Sequence, residues 1–146
     1  MEGPAADKAA LRARLVAARL RLDTSERVNA ARATGAALRS LPELAAARTV
    51  AAYVPVGSEP GPRDMGEVLA GKGRRVLLPV LLSDNDLDWA EYDGPASLVA
   101  AGRGLREPAG PRLGPAAVGQ ADLVVVPGLA VDRRGMRLGR GGGSYD

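Results

Sequence analysis

An apolar run that breaks into a glycine-rich loop, at residues 122–146, constrains the fold of this chain more than any other stretch. Residues 123–126 are continuously apolar and mostly β-branched, a pattern typical of a buried strand in a parallel sheet. Pro127 and Gly128 then end the strand. The run therefore predicts an α/β protein in which one strand leads directly into a glycine-rich bend.

The bend at residues 137–143 combines two arginines with four glycines. Glycine lets the main chain approach an anion closely and adopt positive φ, and arginine adds charge-assisted hydrogen bonds. The spacing fits neither GxxxxGK[ST] nor GxGxxG, because the bend has no lysine and Ser144 stands where the last glycine belongs. A flexible Gly/Ser tail is the alternative, but a linker needs no strand before it and no Tyr145 or Asp146 after it. We interpret the bend as a phosphate-binding loop.

The composition excludes several kinds of chemistry. The 146 residues include no cysteine and no histidine, which rules out disulfides, thiol nucleophiles, Cys/His zinc sites and imidazole catalysis. The apolar fraction of 46% and charged fraction of 25% are typical of a soluble globular protein, and the length suits one domain over residues 1–146. The sequence shows no membrane span or signal peptide, so we expect a cytoplasmic protein without membrane contacts.

The formal net charge of +3 suits either a nucleic acid or a polyphosphate ligand. Aromatic residues make up only 3%, with no phenylalanine, which leaves few side chains on which bases could stack. We therefore expect no nucleic-acid partner. A noncatalytic basic domain that binds RNA or another polyanion stays as the alternative.

The first predicted helix, at residues 7–22, carries a basic stripe beside its apolar one. At about 100° per residue, Lys8, Arg12 and Arg19 fall together, whereas Arg14 falls elsewhere. Cations beside a buried face can line a cleft. The alternative is a solvated basic helix whose long side chains cover the core.

Further helices and strands are predicted along the middle of the chain. Asp23 followed by Glu26 resembles a capping box and predicts the start of a second helix, whose arginines, including Arg27, are assigned to solubility. A short helix is predicted at 64–70, ending at Gly71, with strands at 49–54, 72–82 and 87–92, and no regular elements at 93–119. Trp89 is expected to pack in the core.

One carboxylate stands out in the loop that follows strand 49–54. Glu59 lies in the proline- and glycine-rich segment 55–62, at the carboxyl end of a strand, where open α/β sheets bind ligands. An exposed turn residue is the more common interpretation of a glutamate in such a loop. Pro79, near the end of strand 72–82, predicts that this strand loses one of its neighbours there.

Residues 126–146, VPGLAVDRRGMRLGRGGGSYD, resemble the signature of the 5-formyltetrahydrofolate cyclo-ligase (5,10-methenyltetrahydrofolate synthetase) family. That pattern runs roughly PGLAFD-x-x-G-x-RLG-x-G-x-GYYD. Val131 departs from it by replacing an aromatic, and Ser144 by replacing the first tyrosine of the ending. Residues 8–12, KAALR, also resemble the K-x-x-[LI]-R opening of the family, and residues 104–108 its loop ending in Glu-Pro.

The resemblance implies a fold and an activity. The fold is a three-layer α/β/α arrangement with a mainly parallel sheet, similar to ribose-phosphate isomerase and CoA-transferase domains. The reaction is ATP-dependent cyclisation of 5-formyltetrahydrofolate to 5,10-methenyltetrahydrofolate with release of ADP and phosphate, assisted by Mg²⁺. The family continues through a further strand and helix beyond Asp146, so the C-terminal end is expected to be missing and the chain less stable. Another phosphate-handling enzyme of the same fold is the alternative within enzymes.

The resemblance also implies roles for individual residues. Lys8 and Arg140 are the expected catalytic residues, with Arg140 neutralising charge on the transferring phosphoryl group. Nucleotide binding is expected of Lys8, Arg12, Arg137, Leu138, Gly139, Arg140, Gly141, Gly142, Gly143, Ser144 and Tyr145. Glu59 and Tyr145 are expected to face the folate, and Asp146 to bind Mg²⁺. A monomer or weak homodimer is expected.

Overall fold

The computed structural model describes residues 3–71 and 73–146. Four α-helices are present in that part of the chain: α1 Pro4–Leu20, α2 Thr24–Arg39, α3 Pro42–Ala46 and α4 Met65–Ala70. The strands are β1 Thr49–Ala51, β2 Arg75–Leu81, β3 Leu87–Glu91, β4 Leu98–Ala100, β5 Arg106–Pro108, β6 Leu123–Val124, β7 Ala130–Val131 and β8 Arg137–Leu138. Lys72, the first residue of the predicted strand 72–82, lies outside the described residues. No helix in the described ranges is both long and apolar enough to cross a membrane.

Four strands form one mixed sheet in the order β3-β2-β1-β6. Strand β1 runs parallel to both β2 and β6, with Val50 opposite Val76 on one side and Leu123 on the other. Strand β3 runs antiparallel to β2. The predicted α/β class is confirmed, and two of the three pairings are parallel. Strands β4 and β5, and strands β7 and β8, form two separate antiparallel pairs.

Alternating residues of β1 face two apolar clusters, one on each side of the sheet. Val50 belongs to the cluster on the side of the sheet that the helices cover. Helix residues of this cluster are Leu38 of α2, Leu44 of α3, and Met65 and Leu69 of α4. Ala51 faces the other cluster, which contains Leu77, Leu87, Trp89 and Ala117. A 3₁₀ helix, Pro115–Gln120, supplies Ala117, so this side is covered by a short turn of helix. Trp89 is only 4% exposed, which confirms its prediction as a core residue.

Two of the predicted helix boundaries are confirmed by their capping groups. Asp23 Oδ1 accepts a hydrogen bond of 2.8 Å from the Glu26 amide, which satisfies one of the free N–H groups at the start of α2. Gly71 caps the end of α4 with φ of 47°, a conformation that favours glycine. Both signals are local, so the sequence alone was sufficient to find them.

The prediction of a buried strand at 123–126 was wrong in its burial. The ladder covers only Leu123 and Val124, and within the described residues β6 pairs with β1 alone. Val124 and Val126 are 44% and 39% exposed as a result. An apolar run thus produced an edge strand, because burial depends on a neighbour that the run itself does not specify.

The prediction that 93–119 lacks regular elements was also wrong. Strands β4 and β5 pair there, with Leu98 opposite Pro108. Glu107 of β5 reaches β2 with its side chain, and its Oε2 accepts a hydrogen bond of 2.8 Å from the Leu81 amide. The β1 ladder on β2 ends at Leu77, so the loss of one neighbour before Pro79 is confirmed. The carboxylate thus satisfies an N–H group on the side of β2 that β1 no longer covers.

Candidate active site

A cleft of about 650 Å³ lies between α1 and the loop that follows β8. Every residue that the sequence predicted for the site lines this cleft: Lys8, Arg12, Glu59, Arg137, Leu138, Gly139, Arg140, Gly141, Gly142, Gly143, Ser144, Tyr145 and Asp146. Segments from both ends of the chain and from the loop after β1 therefore meet at one place. The roles assigned to these residues stay predictions, whereas their proximity is a feature of the structure.

The glycine-rich loop presents main-chain amides that have no internal partner. Among the described residues, the N–H groups of residues 140–145 donate to no protein acceptor, and only the Asp146 amide bonds back, to Gly143 O at 3.1 Å. Gly141 and Gly143 have φ of 106° and 78°, backbone conformations that favour glycine. A run of free amides of this kind suits an anion.

The alternative of a flexible tail is wrong for this loop. Tyr145 is half-buried and packs against the apolar clusters on both sides of the sheet. Burial raises the pKa of its phenol, and the nearby Glu59 carboxylate and Tyr53 raise it further, partly opposed by Arg137. Tyr145 therefore packs the C-terminal end of the loop against the core.

The two arginines of the loop have different environments. Arg137 donates from Nη1 to Pro127 O at 2.8 Å and from Nη2 to Asp146 Oδ1 at 2.7 Å. Its guanidinium is thus already engaged with the protein. Arg140 is exposed and makes no hydrogen bond or ion pair with any residue in the described ranges. Of the pair, Arg140 is the cation that remains available to a ligand.

Helix α1 turns its basic stripe toward the cleft, as predicted. Arg12 Nε donates to Gly139 O at 2.9 Å, and Arg19 Nη2 donates to Gly128 O at 2.5 Å. Both side chains are half-buried, so a wholly solvated stripe is wrong for them, whereas Lys8 is exposed at the cleft. Arg19 was absent from the predicted site. Its position seven residues after Arg12, on the same helix face, was the signal that could have added it.

Glu59 is a half-buried residue of the cleft wall and not an exposed turn residue. Its Oε1 accepts a hydrogen bond of 2.9 Å from the Val56 amide, which holds the loop after β1 in place. Burial, then the Glu59 charge, raises the pKa of Tyr53 to about 12, with Arg19 acting in the opposite direction. Negative charge from Glu59 therefore reaches both Tyr53 and Tyr145.

A second cavity of about 170 Å³ adjoins the cleft at the carboxyl ends of β1 and β2. Its lining is mainly apolar and comprises Val54, Val56, Glu59, Pro79, Leu81, Leu87, Leu105, Arg106, Glu107, Ser144 and Tyr145. Glu59, Ser144 and Tyr145 line both spaces and form the junction between them. The sequence analysis missed the apolar lining, because these residues converge from separate strands and loops.

The acidic residues at the cleft are few. Within residues 3–71 and 73–146, no three Asp or Glu side chains gather in a way that could hold a metal ion by themselves. Asp146 Oδ1 binds Arg137, while its Oδ2 has no hydrogen-bond partner among the described residues. Mg²⁺ commonly takes one or two carboxylates and fills its remaining positions with phosphate oxygens and water. Asp146 fits such a site beside a bound polyphosphate.

The fold and the cleft define an α/β protein with a mixed sheet, in which a glycine-rich loop with free main-chain amides faces a cationic helix across the cleft. A model of the 5-formyltetrahydrofolate cyclo-ligase family matches residues 4–146, and the chain belongs to this family. The family predicted from the C-terminal signature is therefore confirmed.

Relatives with curated names agree with this assignment. The 5-formyltetrahydrofolate cyclo-ligase of Mycolicibacterium smegmatis is 54% identical over 104 residues, which cover 68% of this chain and 53% of the relative. The Escherichia coli enzyme of the same name is 32% identical over 111 residues, covering 75% and 61% of the two chains. The matched region thus spans a little more than half the length of these relatives.

Solved structures show the same fold. The 5,10-methenyltetrahydrofolate synthetase of Aquifex aeolicus superposes with a TM-score of 0.75 at 32% identity, covering 95% of this chain and 70% of that one. The synthetase of Mycoplasma pneumoniae gives a TM-score of 0.71 at 23% identity over 95% and 74% of the chains. The mixed α/β sheet is accordingly the architecture of this family.

Proposed function

We propose that this chain catalyses the ATP-dependent closure of 5-formyltetrahydrofolate to 5,10-methenyltetrahydrofolate, releasing ADP and phosphate. The observation that carries the proposal is the pair of adjoining cavities. One is walled by free backbone amides and by cations, and the other is mainly apolar. They meet at Glu59, Ser144 and Tyr145, so a phosphate donor in the first and a pterin ring in the second would have their reacting ends at one junction.

The polyphosphate is assigned to the basic cleft. The amides of residues 140–145 would hold its oxygens, and Lys8 and Arg12 would face them from α1. Arg140, with no partner among the described residues, is available to neutralise charge that develops on the transferring phosphoryl group. Asp146 would hold Mg²⁺ through its free oxygen, and the ion would supply further neutralisation of the phosphates.

The folate is assigned to the apolar cavity. Glu59 is the carboxylate at the junction and suits the polar N–H groups of a reduced pterin, while Tyr145 supplies ring surface beside it. Ser144 leaves more open space at the junction than the tyrosine of the family pattern would. A lining that is mainly apolar with a few polar side chains supports this assignment.

The reaction balances without a protein nucleophile. The formyl oxygen attacks the γ-phosphorus and ADP departs, which makes the formyl carbon electrophilic. N10 of the folate then bonds to that carbon and loses its proton, and the formyl oxygen leaves with the phosphate. Phosphoryl transfer of this kind depends on positioning and charge neutralisation, which a chain without cysteine or histidine can provide.

Several finer assignments belong to the same proposal. The architecture is placed with the three-layer ribose-phosphate isomerase and CoA-transferase-like folds, and helices on one side of the sheet with a 3₁₀ helix on the other support this. Residues 1–146 are treated as one domain that acts as a monomer or weak homodimer. A cytoplasmic location and the absence of a nucleic-acid partner stay predictions.

Incubating the chain with ATP, Mg²⁺ and 5-formyltetrahydrofolate tests the proposal directly. The expected result is growth of methenyl absorbance together with stoichiometric ADP, and neither signal without Mg²⁺ or without folate. Absence of product from a folded chain that binds both ligands would contradict the proposed catalysis. Tight binding of RNA that needs no Mg²⁺ and weakens linearly with salt on a logarithmic scale would favour a polyanion-binding protein instead.

A further inference from the structure

Helix α1 is attached to the rest of the protein mainly by polar contacts. None of its 17 residues, all of which are described, is fully buried. Its apolar residues Leu11, Leu15 and Val16 are only half-buried, and Leu20 is exposed. Burial of apolar area therefore provides little free energy to hold α1 in place. The position of the helix must depend on specific hydrogen bonds.

Two arginines of α1 supply those hydrogen bonds to the site loop. Arg12 binds Gly139 O and Arg19 binds Gly128 O, and the two side chains lie two helical turns apart on one face. Gly128 precedes the β7–β8 hairpin and Gly139 follows it, and Leu129 N donates to Leu138 O between them at 2.7 Å. The arginines thus fasten α1 to both ends of the hairpin that leads into the glycine-rich loop.

Arg19 also lies where α1 meets α2 and the wall of the cleft. Its main-chain oxygen accepts a hydrogen bond of 3.0 Å from Arg27 Nη2, so the assignment of Arg27 to solubility was wrong. Arg27 Nε is buried and has no partner among the described residues. Arg19 lines the cleft together with Glu59, and its charge acts on Tyr53. Arg19 is therefore the residue that joins α1 to its surroundings at the end opposite Lys8.

We propose that Arg19 is a positioning residue that couples nucleotide binding to the docking of α1 against the β7–β8 hairpin. The proposal rests on the proposed function, since it takes the polyphosphate to lie between α1 and the glycine-rich loop. Arg12 uses Nε on Gly139 O, which leaves its Nη1, close to Gly141, available to a phosphate. Without the Arg19 side chain, α1 keeps only one of its two hydrogen bonds to the hairpin, and phosphate contacts must supply more of the free energy that docks the helix there.

Replacement of Arg19 by methionine, which keeps much of the aliphatic length, tests this coupling. A hydrogen bond from a charged donor is lost, so we expect the Kd for Mg²⁺-ATP to rise about ten- to a hundredfold. The Kd for 5-formyltetrahydrofolate alone should change less than threefold, because the apolar cavity contacts no residue of α1. Arg19→Lys keeps one donor and should recover part of the ATP affinity. Arg14→Met, at an exposed position outside the cleft, is the matched control.

Hydrogen exchange of the α1 amides provides a readout that general loss of stability would not mimic. In the unmodified protein Mg²⁺-ATP should slow exchange in α1 more than in α2, and Arg19→Met should speed α1 exchange in the free protein. Equal ATP affinity and equal α1 exchange in Arg19→Met and the unmodified chain would overturn the coupling while leaving the proposed function intact. If the unmodified chain bound folate but no ATP, the proposed function would fail. The proposed coupling of α1 docking to nucleotide binding would then fail as well.

Discussion

Arg137 and Asp146 form an ion pair that closes the two ends of the glycine-rich loop on each other, with 2.7 Å between Nη2 and Oδ1. The arginine side chain is 20% exposed and the aspartate side chain 76%, so the anchored partner is Arg137. Arg137 also binds Pro127 O, which ties the loop to the end of β6. The pair leaves Asp146 at the rim of the cleft with one oxygen free.

Asp146→Asn should separate the proposed metal role of this residue from its role in the loop. An exposed ion pair contributes at most about 1 kcal/mol, so the unfolding midpoint should change little. The apparent affinity for Mg²⁺ in the presence of ATP should fall at least about tenfold if the carboxylate is a ligand. Mg²⁺ titrations of activity or of nucleotide binding measure this. Asp93→Asn, an exposed charge-matched control outside both cavities, should leave the Mg²⁺ requirement unchanged.

Arg140→Ala should reduce turnover without reducing stability. The side chain is exposed and has no partner in the described part of the chain, so the free energy of unfolding should change by less than about 0.5 kcal/mol. Loss of a cation that stabilises the transition state should lower kcat about a hundredfold or more. Steady-state kinetics at saturating ATP, with Arg14→Ala as control, make the comparison. An unchanged kcat would remove Arg140 from the catalytic residues.

Glu59→Gln should weaken folate binding and lower the pKa of Tyr53. Glutamine can still accept the hydrogen bond from the Val56 amide, so the loop should keep its conformation. The carboxylate charge is the second cause, after burial, that raises the Tyr53 pKa to about 12, and its removal should bring that value down. Tyrosinate absorbance during an alkaline titration measures the shift. A rise in the folate KM with an unchanged ATP KM would agree with the assignment of Glu59 to the folate side.

Two glycine-to-alanine substitutions in helices should have opposite effects on stability. A Cβ at Gly66 would lie 2.7 Å from ring atoms of Tyr92, whereas a Cβ at Gly35 would lie 3.6 Å from Pro62 in ordinary contact. Gly66→Ala should therefore destabilise the protein by about 1–3 kcal/mol through overpacking. Gly35→Ala should stabilise it by up to about 1 kcal/mol through helix propensity. Denaturant unfolding of both variants tests the pair, and destabilisation of equal size in both would contradict the packing argument.

Asp122 should make stability depend on pH at the acid end. Its Oδ2 accepts hydrogen bonds from the amides of Arg48 at 2.9 Å and Thr49 at 3.0 Å, and these bonds, that of Thr49 first, lower the carboxyl pKa below its ordinary value of 3.8. A lowered folded-state pKa contributes stability above pH 3.8, and this contribution is lost as the pH falls through the folded value. Asp122→Asn should remove this part of the pH dependence. The prediction would be refuted if the free energies of unfolding of the two proteins changed with pH in the same way below pH 3.8.

The elements that sequence reasoning found are those encoded by neighbouring residues. Asp23 and Glu26 specify the start of α2 within four positions, and the glycine-rich loop carries its own turn chemistry. Burial and shape depend instead on distant partners. The apolar run before Pro127 became an exposed edge strand, and Glu107 could be placed against Leu81 only once the order of strands was known.

The candidate site likewise combines features encoded by neighbouring residues with features that depend on distant ones. The spacing of Lys8, Arg12 and Arg19 predicted a basic stripe on one helix face, and the family resemblance assigned Lys8 and Arg12 to the nucleotide site. The part played by Arg19 depends on where the carbonyl oxygen of Gly128 lies, 109 residues later in the chain. The apolar cavity likewise needs five separate segments to converge, and the periodicity of no single segment predicts it.

The junction formed by Glu59, Ser144 and Tyr145 has a consequence for ligand order. If the proposed ligands meet at this junction, the first to bind would displace water from these three side chains before the second arrives. Each ligand should therefore tighten the binding of the other by the same factor, since such synergy is reciprocal. An enzyme of this kind would bind each ligand more weakly alone than in the presence of the other.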